Sequence, residues 1–152
     1  MRALWLILLL TPVLLASAKE SQITIEDTGS TNRLGVRLTF DQHGEATVQA
    51  HRGEPQQVKL DQSQCKQFLH NLKAVGSLSA LPVVHCAKSV SFGSSLFVEL
   101  DSDRSPDLNC PSEDPPLESL KKQAYELLGA AREKAGIPSR RTLSLQRPVA
   151  PK

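Results

Sequence analysis

The apolar positions of this chain repeat first at every second residue, then at helical spacing, then at every second residue, and finally at helical spacing again. Ile23 and Ile25 alternate with Thr24 and Glu26, which predicts a short half-buried strand. Residues 27–32 read Asp-Thr-Gly-Ser-Thr-Asn, a turn cluster. Leu34, Val36, Leu38 and Phe40 then alternate with Gly35, Arg37 and Thr39, the cleanest period-two run in the sequence. A turn at Asp41-Gln42-His43-Gly44 passes the alternation to Ala46, Val48 and Ala50, and a second turn at 52–55 precedes Val58 and Leu60. The pattern predicts a meander of three or four antiparallel strands with one apolar face. The opposite face would carry Thr24, Arg37, Thr39, Thr47, Gln49, His51 and Lys59.

From Asp61 the period lengthens. Asp61 and Gln64 stand in capping-box relation, and Cys65, Phe68, Leu69, Leu72 and Val75 fall on one helical face before Gly76 stops the run. Leu78 and Leu81 should pack beneath the connection to Pro82. Residues 83–110 return to strand character: Leu96, Val98 and Leu100 alternate with Phe97 and Glu99, and residues 101–104 suit a hairpin tip. Gly93-Ser94-Ser95 should break or bulge the run, and Pro106 belongs on an edge because it cannot donate to a ladder. Residues 112–116 announce a second helix with proline in its first turn. Its apolar stripe is Leu117, Leu120, Ala124, Leu127, Leu128, Ala131 and Ala135, with Glu118 and Lys122 as an exposed pair and Gly136 and Pro138 as the stop. These elements predict an α+β fold, a two-layer sandwich of mainly antiparallel sheet with two amphipathic helices on one face.

The two ends of the chain lie outside that pattern. Met1-Arg2 opens an almost wholly apolar run that ends in Ala16-Ser17-Ala18, so residues 1–18 read as a signal peptide. The run is too short and too broken for a membrane span, and none is expected after cleavage. Residues 19–136 then form a single domain, and residues 137–152, with Arg140, Arg141, Arg147 and several prolines, read as a flexible basic tail. The formal charge of +2 excludes a polybasic nucleic-acid binder, and the only Trp falls in the leader. An exported protein, secreted or periplasmic, is the expectation.

Export changes the reading of the three cysteines, because disulfides persist outside the cytosol. One bridge with one thiol left over allows three pairings. Cys65 lies on the buried helical stripe, whereas Cys86 and Cys110 bracket the second strand region, so Cys86–Cys110 is the expected bridge. The chain-entropy model values a loop of this length at roughly 3–3.5 kcal/mol.

Candidate chemistry is sparse. Asp101, Asp103 and Asp107 alternate closely enough to suggest a calcium site, but Pro106 stands where the EF-hand loop needs glycine and Ser112 where it needs its closing glutamate. The plainer expectation is a hairpin turn in which the aspartates bond to their own backbone. His43, His51, His70 and His85 are scattered without metal-ligand spacing, and no nucleophile elbow or phosphate loop occurs. Arg37 and His51 share the polar sheet face and form a candidate binding surface. Phe97 points away from the Leu96, Val98 and Leu100 face. It would join Arg37 and His51 as an exposed anchor if both helices cover that face, and become core if both faces are covered, which is the expectation.

In the order of its elements the chain resembles the emfourin-type inhibitors of thermolysin-like metalloproteases. The similar stretches are residues 23–40, the helix ending in Gly76-Ser77-Leu78-Ser79-Ala80-Leu81-Pro82, and residues 96–100 followed by 116–128. Asp27-Thr28-Gly29-Ser30-Thr31-Asn32 replaces the glycine-rich segment of that family, so no inhibitory residue is carried over. The expectation from the residues is a non-enzymatic interaction module whose partner is another protein or an envelope component. The resemblance implies a protease inhibitor. A small hydrolase built on His51 or His85 and a calcium-stabilised domain are the remaining alternatives.

Overall fold

The structure is a computed structural model and describes residues 21–138. Strands β1 (Ile23–Asp27), β2 (Val36–Phe40), β3 (Glu45–Ala50) and β4 (Gln56–Lys59) lead into helix α1 (Gln62–Val75). Strands β5 (Leu96–Leu100) and β6 (Asp103–Arg104) and helix α2 (Pro115–Lys134) follow. All six strands join one antiparallel sheet in the order β4-β3-β2-β1-β5-β6, with β1 paired on one side to β2 and on the other to β5. The expected meander is the first four strands, and the later hairpin docks against its oldest strand.

The period-two residues supply one wall of the core. Ile23, Ile25, Val36, Leu38, Phe40, Ala46, Val48, Leu96 and Val98 are buried on one sheet face. Cys65, Phe68 and Leu72 of α1 and Leu120, Ala124, Leu127, Leu128 and Ala131 of α2 close against them. Phe40 and Phe68 meet across the layers at 5.9 Å between ring centroids, tilted by 52°. Both helices therefore lie on one face, as the stripes require.

The helix ends follow their residues. The Asp61 carboxylate accepts the Gln64 amide at 2.9 Å, and Gly76, at φ 86°, stops α1. At the end of α2 the Ile137 amide reaches the Arg132 carbonyl at 2.9 Å and Gly136 takes φ 63°, a Schellman stop whose apolar closing residue packs on the core. Ile137 thus joins the domain, one residue past the boundary expected from the pattern. The expected signal peptide and the rest of the expected basic tail lie outside the described residues. The Glu118 partner is Lys121, three residues on, in place of the expected Lys122.

Both rims of the sheet carry devices against further pairing. On the β5 side, Pro106 gives no amide, and the Ser105 hydroxyl and Asp107 carboxylate accept the Val98 and Leu96 amides at 3.0 Å each. On the β4 side, the Lys59 carbonyl accepts a hydrogen bond from Lys134 of α2.

Strand character does not extend over residues 83–95. This stretch is an irregular loop, and β5 begins only at Leu96. Its apolar residues do not alternate toward the core: Val83, Val84, Val90 and Phe92 all face outward.

Candidate functional site

The sheet face turned away from the helices is as expected from the alternation, but it is occupied with itself. The register aligns Phe97, Glu26, Arg37 and Gln49 in one row, and Glu99, Thr24, Thr39, Thr47 and Gln57 in the next. Glu26 accepts from Arg104 at 2.9 Å and from Arg37 at 3.4 Å, and Arg104 also approaches Glu99 at 3.7 Å. Burial raises the Glu26 pKa, but the two arginines outweigh it and hold the carboxyl below its ordinary range. Phe97 is not core: it is half-buried on this face, with the Arg104 guanidinium 4.3 Å above its ring centroid. Both helices occupy the other face, and among the described residues no element covers this one. Arg37 and His51 line one cleft of about 300 Å³ with Glu26 and Gln49 at the end of β2 and β3, while Phe97 sits across Glu26 from them.

The three aspartates do not converge. Asp101 takes φ 57° at the hairpin tip and accepts the Gln22 amide at 3.1 Å. Asp103 accepts the Leu78 and Ser79 amides at 2.7 and 2.8 Å, which fixes the chain leaving α1; the Ser79 side chain and these amides hold its carboxyl below the usual range. Asp107 serves the Lys88 ammonium and the amides of Leu96 and Asn109. Burial raises the Asp107 pKa, yet these donors together set it below the ordinary value. Among the described residues no group of three or more His, Cys, Asp or Glu could hold a metal ion.

Cys86 and Cys110 form the expected disulfide, with Cα atoms 5.5 Å apart. Cys65 is a free, buried thiol. Burial, with Asp41 and Asp61 nearby, pushes its pKa up to about 11. Such a thiol is packing and not a nucleophile. His51, His70 and His85 are exposed, and His43 takes part in the turn before β3, where its Nδ1 meets the Gln62 amide group.

A second region is built from two loops, 28–35 and 83–95, and the alternation alone does not reveal it. Asp27 ends β1 in an inward position, following Ile23 and Ile25, and its side chain is fully buried. It bonds Arg33, receives the Gly29 amide at 3.0 Å and faces Arg132 at 3.7 Å. Arg132 continues the α2 stripe one turn beyond Leu128 and donates to the Leu34 carbonyl at 2.7 Å. Burial lowers its pKa and Asp27 works against that. A strand face ending in aspartate and a helix stripe ending in arginine were the signals available in the sequence.

This ionic cluster folds loop 28–35 tightly on itself. Gly29, at φ 69°, lies against Gly35, where a Cβ would come within 2.5 Å of the Thr28 carbonyl oxygen. The loop in turn holds the other one. The Ser30 and Thr31 hydroxyls donate to the carbonyls of Ser91 and Val90 at 2.9 and 3.1 Å, and the Thr28 amide donates to Ser95 at 3.0 Å. Lys88 binds Asp107 and the Ser94 carbonyl, and the disulfide fixes Cys86. The backbone of 86–95 is thereby tied at several points, while Val90 and Phe92 stand 84% and 73% exposed.

Among the described residues no helix is long and apolar enough to cross a membrane. Comparison with protein-family models, with curated proteins and with solved structures gave no match to this chain.

Proposed function

We propose that this is an exported, non-enzymatic binding module that engages another protein through the tied loop of residues 83–95. The observation that carries this reading is the pairing of a restrained backbone with outward apolar side chains. Exposed Val and Phe on a slack loop would have to be ordered on binding, at roughly 0.5–1.5 kcal/mol per immobilised side chain and more for the backbone. Here the disulfide, Lys88, Ser30 and Thr31 have fixed the chain beforehand. Beside the exposed Val90 and Phe92 stand the small polar residues Ser30, Thr31, Asn32, Ser89 and Ser91, with Arg33 and Lys88 next to Phe92. That is the composition of an interface centre whose rim excludes water without adding much energy. Export is supported by the disulfide and by the leader-like first eighteen residues.

The experiment is crosslinked affinity capture from the extracytoplasmic fraction, with the Val90→Ser/Phe92→Ser double variant beside the wild type. A protein retained by the wild type and lost by the variant supports the reading. Equal capture by both, with loss on Arg37→Ser instead, moves the interface to the open sheet face. Inhibition of a peptidase is a second reading, favoured by the same restraint: a loop tied on both sides keeps its two halves together if it is cut. Inhibition of a thermolysin-like metalloprotease by the wild type and not by the double variant would establish it.

A further inference from the structure

Beside Phe92 the two loops and α2 enclose an open depression of about 530 Å³, with Arg33, Tyr125, Lys88, Asn109 and Pro111 around it. Its charges do not cancel. Lys88 is matched by Asp107, but among the described residues Asp27 alone faces both Arg33 and Arg132. Arg132 is the interior member, 8% exposed, and its Nη1 has no partner among the described residues. Arg33 is the exterior member, 37% exposed, and gives one terminal nitrogen to Asp27. Its guanidinium is held 5.5 Å from the centroid of the Tyr125 ring, and among the described residues Asp27 is the one hydrogen-bond partner of its side chain, reached by that single nitrogen. Tyr125 is itself fixed, because its hydroxyl donates to Asn109 at 2.8 Å. The result is a pre-positioned guanidinium with spare donors and an excess positive charge behind it, next to an exposed aromatic ring.

Resting on the reading that this loop end is the binding site, we propose that the depression takes a carboxylate borne on an apolar residue, the free C-terminus of a partner polypeptide. The charge excess and the spare Arg33 donors fit a carboxylate, for which guanidinium is the matched partner. Phe92 and Pro111 fit the last side chain. An acyl chain would require an enclosed apolar channel, whereas this depression is open, and Arg33, Lys88, Ser89, Ser94 and Asn109 share its lining with the apolar groups and can meet an amide backbone.

The test is titration of the protein, with its disulfide intact, by acetyl-Ala-Ala-Leu with a free carboxylate and by the same peptide as its C-terminal amide. Binding is read from amide chemical shifts of residues 28–35 and 86–95. The free acid should perturb these residues, and amidation should weaken binding by about tenfold or more, the worth of a charge-assisted hydrogen bond. Arg33→Gln should abolish the difference between the two peptides while leaving the shifts of the sheet in place. Equal binding of acid and amide, or no binding of either, overturns the proposal. Laurate competing as well as the free acid would overturn the assignment to a polypeptide. The wider reading fails separately, when the Val90→Ser/Phe92→Ser variant still captures the same partner.

Discussion

The open sheet face and the loop end are both exposed to solvent, but they dispose of their side chains in opposite ways. On the sheet face Glu26 is answered by Arg37 and Arg104, and the Phe97 ring is roofed by Arg104. At the loop end Asp27 and Arg132 are buried beneath the surface, Arg33 reaches out from them, and apolar side chains stand outside. A surface that satisfies itself has little to gain from a partner. One whose backbone is already fixed and whose apolar groups still face water has the binding free energy unspent. On the proposed function, apolar residues on a restrained loop therefore weigh more than polar residues on a strand face.

That contrast can be broken at its foundation first. Asp27→Ala leaves Arg132 and Arg33 without their shared carboxylate inside the protein, and it should cost about 3–5 kcal/mol in urea unfolding. A loss under 1 kcal/mol would mean that the cluster does not support the loops. Replacing the disulfide with Cys86→Ser/Cys110→Ser should cost about 2–4 kcal/mol and speed amide exchange across 86–95 more than in β1–β3. Uniform acceleration would show the bridge to be a global and not a local restraint.

Acid should separate the regions next. The Asp107 carboxyl titrates below its unfolded value, so its contribution is present above the ordinary aspartate range and is lost as pH falls through the folded pKa. Exchange at Leu96 and Asn109 should therefore rise at low pH before that of β2, and Asp107→Asn should remove the pH dependence. Glu26→Gln, on the open face, should change stability by no more than about 1 kcal/mol, because its partners are solvated. Phe92→Ser should lie within about 0.5 kcal/mol of wild type while losing the partner. A marked destabilisation there would make Phe92 a packing residue and return the search to the sheet face.

Alternation and helical spacing carried the sandwich, both helix faces, the Asp61 cap and the disulfide partners, because each of these is settled within a few residues or by elimination among three cysteines. The same rules failed where side chains act across the fold. Residues 83–95 have strand-like composition, yet the disulfide, Lys88 and the hydroxyls of the other loop claim their backbone, so no ladder forms. Phe97 looked like core because a phenylalanine alternating with leucine and valine is usually covered on both faces. Arg104, brought beside it by the β5–β6 hairpin, supplied the cover in place of a second layer. The aspartates of 101–107 looked like a cluster in sequence and were dispersed by the hairpin that carries them.

By itself the sequence determined the layers of this protein, since burying a period-two face against two helical stripes is a local demand repeated along the chain. Only the tertiary structure decided which apolar groups it leaves facing solvent. Asp27 and Arg132 are 105 positions apart in the chain, and neither has a reason to be buried until β1 and α2 meet. Their pairing folds the first loop, the first loop restrains the second, and the second holds Val90 and Phe92 out to solvent.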